Sequence, residues 1–184
     1  MSNKNRSSIL LCASAALVIT LPLGAQNSAP HMDSGTQKMT SSADTTFAMK
    51  AAQGGMAEVK LGQLAVDKAS SPDVKAFGQR MIDDHTKLND QMKQVASQEN
   101  MSLPTDLDAK DQAEYNKLSQ LSGTAFDKAY MKDMVKDHQM DIKEFQKESN
   151  SGQDPQLKQL ASTALPILQS HLQMAEDTQA KVGK

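Results

Sequence analysis

The chain has 184 residues, with 20 basic and 22 acidic side chains, four histidines, 12 methionines and one cysteine. Its formal net charge is −2, and the charges are interspersed, with no basic cluster that would neutralise a phosphate backbone. A nucleic-acid partner is therefore not expected. The length fits one ordinary domain.

Residues 1–25 are predicted to be a cleavable secretory signal peptide. Lys4 and Arg6 form the positive start, an apolar run covers residues 9–23, and Gly24 and Ala25 offer a small-residue cleavage site. The run is shorter than the roughly 20 residues of a spanning helix, although an uncleaved anchor is the alternative. We therefore expect export to the periplasm or cell envelope.

Two further features bear on the exported part of the chain. The only cysteine, Cys12, lies inside the signal, so we expect neither a disulfide partner nor a thiolate metal ligand. Residues 26–43 are rich in Ser, Thr, Gln and Asn and have no apolar period, which predicts a flexible polar leader. His31 lies in this leader and is not assigned to any site.

Residues 44–182 are predicted to form one helical domain, because their apolar residues recur at helical spacing. The first helix is predicted to begin with Asp44 as N-cap and to end near Ala69. Ser71 and Pro72 then supply a cap and a proline at the first helical position, which predicts a second helix ending near Asn100.

The second half repeats this pattern after a longer connection. A short extra helix is predicted in the connection, and Gly123 ends it. A third helix follows and stops around residues 150–152. Asp154 and Pro155 repeat the capped-proline start for a fourth helix, in which Pro166 predicts a kink. The sequence therefore predicts an all-α fold, an antiparallel four-helix bundle of two helical hairpins.

Four polar residues fall within the apolar stripes, one on each long helix: Glu58, His85, His138 and His171. Within each hairpin the two members lie nearly equal distances from the proline-marked turn. Between the hairpins the offset is about three residues, or roughly 4.5 Å at the helical rise. The four side chains are therefore predicted to converge in the middle of the bundle.

One carboxylate and three neutral imidazoles suit a borderline transition metal, with Zn, Fe, Mn and Cu as candidates. Asp84 and Asp137 are candidate acceptors for the histidine N–H groups. Met81 and Met134, each four residues before a histidine, are candidate neighbours of the metal, although methionine is also an adaptable core filler.

Three functions remain open at this point. The leading hypothesis is an exported protein that holds one metal ion. The alternative is a non-catalytic interaction or stress-associated envelope module, in which the Glu and His residues only form a structural polar layer. A metal-dependent redox enzyme is the third. The protein partner stays unknown, and a homo-oligomer is compatible with the sequence.

Several motifs, in this order, resemble a family of exported bacterial proteins known as domain of unknown function 4142. The first motifs are Ala51-Ala52-Gln53-Gly54-Gly55-Met56-Ala57-Glu58-Val59, followed by Leu61-Gly62, Val74-Lys75, Phe77-Gly78, Met81 and Asp84-His85. The later ones are Phe126-Asp127, Tyr130 and His138, then Leu165-Pro166, Leu168 and His171-Leu172. The resemblance covers residues 44–180 and implies a ferritin-like bundle in the cell envelope with no assigned activity.

The chain departs from the ferritin-like di-iron pattern, which uses a Glu on one helix and Glu-x-x-His on the next in each half. Ile82 and Leu168 stand three residues before His85 and His171, where that pattern has glutamates. His138 takes the place of another glutamate. A single inward carboxylate is too few to neutralise two irons, so ferroxidase activity is not expected, and no catalytic residue is assigned.

Overall fold

The computed structural model describes residues 40–183, and no helix in this range has the length and apolar character needed to cross a membrane. The predicted signal peptide with Cys12, and most of the predicted leader with His31, lie outside the described residues. The five helices are α1 (Ser42–Lys68), α2 (Pro72–Gln98), α3 (Ala109–Ser119), α4 (Gly123–Ser151) and α5 (Pro155–Val182).

The long helices form two hairpins, α1 with α2 and α4 with α5, and α3 lies in the connection between them, against α1 and α4. The predicted ferritin-like four-helix bundle is therefore confirmed, including its short extra helix. Pro72 and Pro155 each occupy the start of a helix, as predicted. Helix α5 continues through Pro166.

The predicted N-cap of α1 was wrong. Ser41 is the N-cap, and its hydroxyl accepts a hydrogen bond from the Asp44 N–H at 3.1 Å. The buried carboxylate of Asp44 instead accepts from the backbone N–H groups of Gln153 at 3.1 Å and Asp154 at 2.8 Å. Asp44 therefore caps the turn between α4 and α5, not its own helix.

Asp127 on α4 makes the reciprocal connection. Its buried carboxylate accepts from the backbone N–H groups of Ser70 at 3.1 Å and Ser71 at 2.9 Å, and from the Ser70 hydroxyl. Asp44 lies as many residues before Pro72 as Asp127 lies before Pro155. We call Asp44 and Asp127 the turn latches, because each hairpin supplies a carboxylate that accepts from backbone N–H groups in the turn of the other.

The apolar core consists of two clusters. The larger one contains Val74, Phe77, Tyr130 and Met134 and lies towards the α1–α2 turn. The smaller one is built around Phe47, Met92 and the start of α5, towards the α4–α5 turn. Along every long helix, one buried polar residue stands between members of the two clusters: Glu58, His85, His138 and His171.

Helices α1 and α2 touch backbone to backbone at Gly62 and Gly78. A methyl group at Gly78 would lie 2.6 Å from the Ala65 Cβ and 2.8 Å from the Gly62 carbonyl oxygen. A methyl group at Gly54, also within α1, would meet nothing within 4 Å. The close approach of the first hairpin therefore depends on Gly62 and Gly78, not on Gly54.

Replacing Gly78 by Ala is expected to destabilise the protein by about 1 to 3 kcal/mol, because the added methyl group forces the two helices apart. Gly54→Ala is the matched control, and it should stabilise by roughly 0.5 to 1 kcal/mol, since only helix propensity changes. Urea unfolding measures both free energies. Equal effects of the two substitutions would contradict the backbone contact.

A second prediction concerns Glu148, whose buried carboxyl lies near Asp44 and Asp154. Burial, and then the repulsion of these two groups, raises the pKa of Glu148 from 4.5 to about 7. The folded state therefore binds more protons than the unfolded state between these pH values, so its stability falls as pH rises through this window.

Glu148→Gln removes this ionisation, so the variant should melt at a higher temperature than the parent protein at pH 8. The difference should shrink as the pH approaches 4.5, where the parent carboxyl is protonated as well. Thermal melts followed by circular dichroism across this range measure the effect. A constant offset at every pH would show that Glu148 ionisation is not its cause.

Candidate metal centre

Three histidines from three helices meet between the two apolar clusters. His85 on α2, His138 on α4 and His171 on α5 are all buried, and one ring nitrogen from each lies within 4.8 Å of the others. The ring centroids are 5.3 to 5.9 Å apart. Within residues 40–183, they form the one group of three or more histidine and acidic residues with ligand atoms this close. We call them the histidine cluster.

Hydrogen bonds determine which nitrogen carries the proton in two of the rings. The Nδ1–H of His138 donates to the carbonyl oxygen of Met134 at 2.9 Å, since a carbonyl only accepts. The Nε2–H of His171 donates to Oδ2 of Asp84 at 3.0 Å. The remaining nitrogens, Nε2 of His138 and Nδ1 of His171, face each other at 3.4 Å. In neutral rings both carry lone pairs.

Burial keeps these rings neutral. It is the largest cause that lowers the pKa of His85 well below 6.5 and also lowers the pKa of His138. It lowers the pKa of His171 to about 4, although the hydrogen bond to Asp84 acts in the opposite direction. At neutral pH no proton therefore lies between His138 and His171, and their two lone pairs repel each other.

His85 adds a third nitrogen without a partner. Its Nε2 is buried and makes no hydrogen bond within the described part of the chain. The ring borders a cavity of about 30 Å³ that Asp141 and Leu168 also line. Such a volume holds roughly one or two water molecules. The cluster thus presents unprotonated nitrogen and has adjacent space for a small ligand.

Glu58 lies beside the cluster but on the opposite side of the His138 ring. Its Oε1 is 3.8 Å from Nδ1 of His138, the nitrogen that already donates to Met134, which is too far for a hydrogen bond. Its Oε2 is buried and has no partner among the described residues. Burial, followed by repulsion from Asp137, raises the pKa of Glu58 well above 4.5.

The other predicted neighbours of the metal occupy different places. Asp84 contacts His171 and also pairs with Arg80. Burial tends to raise the pKa of Asp84, but its hydrogen bonds with His171 and Arg80 outweigh burial and lower it. Asp137 is half-buried and faces a cleft between α1, α3 and α4. Met81 and Met134 are fully buried in the larger apolar cluster.

Sequence reasoning missed Asp141, which lies on α4 near Glu58 and His138. Burial, and then the charge of Glu58, raises the pKa of Asp141 to about 7. A signal for this residue was present in the sequence. Glu58 lies as many residues before Pro72 as Asp141 lies before Pro155. The two carboxyl groups therefore occupy equivalent positions in the two hairpins.

Comparison with solved structures supports the helical-bundle fold. A DUF305 fragment from Deinococcus radiodurans superimposes with a TM-score of 0.68 at 12% identity, covering 77% of this chain and 98% of the other. A DUF305 protein from Streptomyces coelicolor, described as secreted, has a TM-score of 0.65 at 16% identity, covering 77% and 94%. At these identities the likeness concerns the fold alone.

A comparison with curated proteins found no similar sequence. The family model described as domain of unknown function DUF4142 matches residues 29–178. This match includes most of the bundle and every residue of the histidine cluster. The chain therefore belongs to the DUF4142 family.

Proposed function

We propose that this protein is exported to the cell envelope and binds one transition-metal ion through His85, His138 and His171. The observation that carries the proposal is the pair of facing nitrogens on His138 and His171. Both rings have already given their N–H groups to Met134 and Asp84, so a cation between them removes the lone-pair repulsion. The unpartnered Nε2 of His85 supports a third bond.

The chemistry of the donors narrows the choice of metal. Three neutral imidazoles suit Zn, Cu or Fe and carry no negative charge that would neutralise a pair of irons. Three protein ligands also leave a fourth position, next to the small cavity that His85 and Asp141 line. Asp84 resembles the carboxylate that commonly orients a metal-bound imidazole. In this arrangement Glu58 lies on the Nδ1 side of His138, away from the proposed metal position, and is not a direct ligand.

Export rests on different support. The predicted signal peptide has the charge, length and small-residue end typical of secretory signals. The Streptomyces coelicolor neighbour of similar fold is described as secreted. An envelope location also exposes a metal site to ions that enter the periplasm.

A structural polar layer is the second candidate, and one observation favours it. Hydrogen bonds connect the Met134 carbonyl to His138 and His171 to Asp84, and the two rings are in contact, so the chain of polar groups crosses three helices. Such a chain holds the helices in register whether or not a metal binds. Metal binding itself separates the two candidates.

The metal-binding test uses purified protein titrated with Zn²⁺ by calorimetry, and Co²⁺ as a visible-absorption probe of coordination geometry. We expect one equivalent of Zn²⁺ and an intense Co²⁺ spectrum typical of four-coordinate nitrogen-rich sites. His85→Gln should lower the affinity by roughly a hundredfold or more, because loss of a ligand exceeds the 10- to 100-fold cost of losing a supporting group.

His31→Gln is the matched control, because it removes a histidine outside the cluster, and its affinity should stay unchanged. Zn²⁺ at about 100 times the dissociation constant should stabilise the parent protein by about 2.7 kcal/mol. No bound metal, together with unchanged thermal stability on adding Zn²⁺, would leave the structural polar layer as the function of the cluster.

Asp84 gives a separate prediction for the protein without metal. Asp84→Ala leaves the buried N–H of His171 without its acceptor and should destabilise the protein by about 1 to 3 kcal/mol. The same substitution should weaken Zn²⁺ binding roughly 10- to 100-fold. Asp83→Ala is the control, since the Asp83 carboxylate accepts from Gln79 within its own helix and lies away from the cluster. Equal losses in both variants would exclude a supporting role for Asp84.

A further inference from the structure

Acidic side chains are concentrated in a cleft between α1, α3 and α4, and Glu58 forms part of its lining. Seven carboxyl groups and two lysines line this acidic cleft, whose volume is about 260 Å³. A water molecule needs roughly 10 to 15 Å³ of such volume, so the cleft has room for several waters around an ion.

The two lysines do not balance the carboxyl groups. Lys50 pairs with Glu144 at 3.1 Å, and Lys110 pairs with Asp111 at 3.7 Å. The Asp108 side chain caps α3 by accepting from the Asp111 N–H. The remaining four make no ion pair with a lysine or arginine within residues 40–183: Glu58, Glu114, Asp137 and Asp141.

Glu58 supplies a second observation, which concerns its burial and not the number of acidic groups. It lines the cleft, is 3% exposed, and its Oε2 has no hydrogen-bond partner in the described part of the chain. A buried carboxyl oxygen without a hydrogen-bond partner is costly unless a cation or ordered water satisfies it. The equivalent residue of the other hairpin, Asp141, lines the same cleft.

The spacing of the carboxyl groups indicates whether a cation would bind as a bare ion or with its water shell. Within residues 40–183, no three of these groups bring ligand oxygens within 4.8 Å of one another, so they do not form a shell around a bare ion. A small divalent cation such as Mg²⁺ keeps several of its waters when it binds, and carboxylates hold it through them. Imidazoles are absent from the described lining, which disfavours the softer metals there.

We propose that the acidic cleft binds a hydrated divalent cation of the Mg²⁺ or Mn²⁺ type, with Glu58 and Asp141 as its principal carboxylates. Its donors are carboxyl oxygens from α1, α3 and α4, whereas the histidine cluster offers ring nitrogens from α2, α4 and α5. The cation neutralises the mutual repulsion of the carboxylates that line the cleft. The site stands independently of the function proposed above.

The test uses ¹⁵N-labelled protein to which one equivalent of Zn²⁺ has been added, and then substoichiometric Mn²⁺ as a paramagnetic probe. The amide signals of Gly54, Glu58, Asp111 and Asp137 should broaden first, because these residues line the cleft. In the Glu58→Gln/Asp141→Asn variant the Mn²⁺ concentration needed for equal broadening should rise about tenfold or more, since the cation loses its two principal carboxyl ligands. Both substitutions keep the side-chain shape, so the fold is retained.

Asp83→Asn/Asp177→Asn is the control, since it makes the same kind of carboxyl-to-amide substitution twice, on α2 and α5, outside the cleft. Its Mn²⁺ response should match that of the parent protein. Equal weakening in both double variants, or broadening centred on the residues around His85 and His171, would overturn the proposal. Equal weakening would not bear on Zn²⁺ binding. Broadening around His85 and His171 would also show that Zn²⁺ had not filled the histidine cluster, and the calorimetric titration measures that binding separately.

Discussion

A polar layer between two apolar clusters is the constraint around which this bundle is organised. Buried polar groups are costly unless they are satisfied, and four of them lie at the same level, one on each long helix. Hydrogen bonds to Met134 and Asp84 satisfy two N–H groups of the layer but leave two ring nitrogens facing each other. The ring orientations and the donor atoms available at the centre follow from these contacts.

The bundle could be predicted from the sequence because its signals are local. Apolar residues at helical spacing, together with Pro72 and Pro155 after capping residues, indicated the helices and both hairpins. Counting residues from these prolines also predicted that the three histidines converge in the middle of the bundle. The error at Asp44 arose because an acidic residue in a first turn suits an N-cap, whereas the N–H groups that it accepts from lie 109 and 110 positions away.

The contacts between side chains in the site could not be predicted from the sequence, because they depend on how each helix is rotated. Helix rotation decides whether a carboxylate meets a ring nitrogen, and about 100° separates neighbouring residues on a helix. Asp84 and Asp137 each precede a histidine, yet Asp84 bonds His171 of another helix while Asp137 faces the acidic cleft. Helix rotation likewise places Glu58 on the Nδ1 side of the His138 ring, whereas His171 lies on the Nε2 side. The distance of Asp141 from Pro155 could be read from the sequence. Its proximity to Glu58 could not, because it depends on how the helices pack.

The turn latches have a consequence for how the two halves depend on each other. Asp44 completes the second hairpin and Asp127 completes the first, so a hairpin alone would leave its own turn N–H groups uncapped and its latch carboxylate without donors. Two copies of a single hairpin, related by a two-fold axis, would exchange these contacts symmetrically. The two hairpins of this chain are thus related as two subunits of a dimer would be, joined by one covalent connection. An isolated hairpin could cap the turn of a second hairpin but not its own turn.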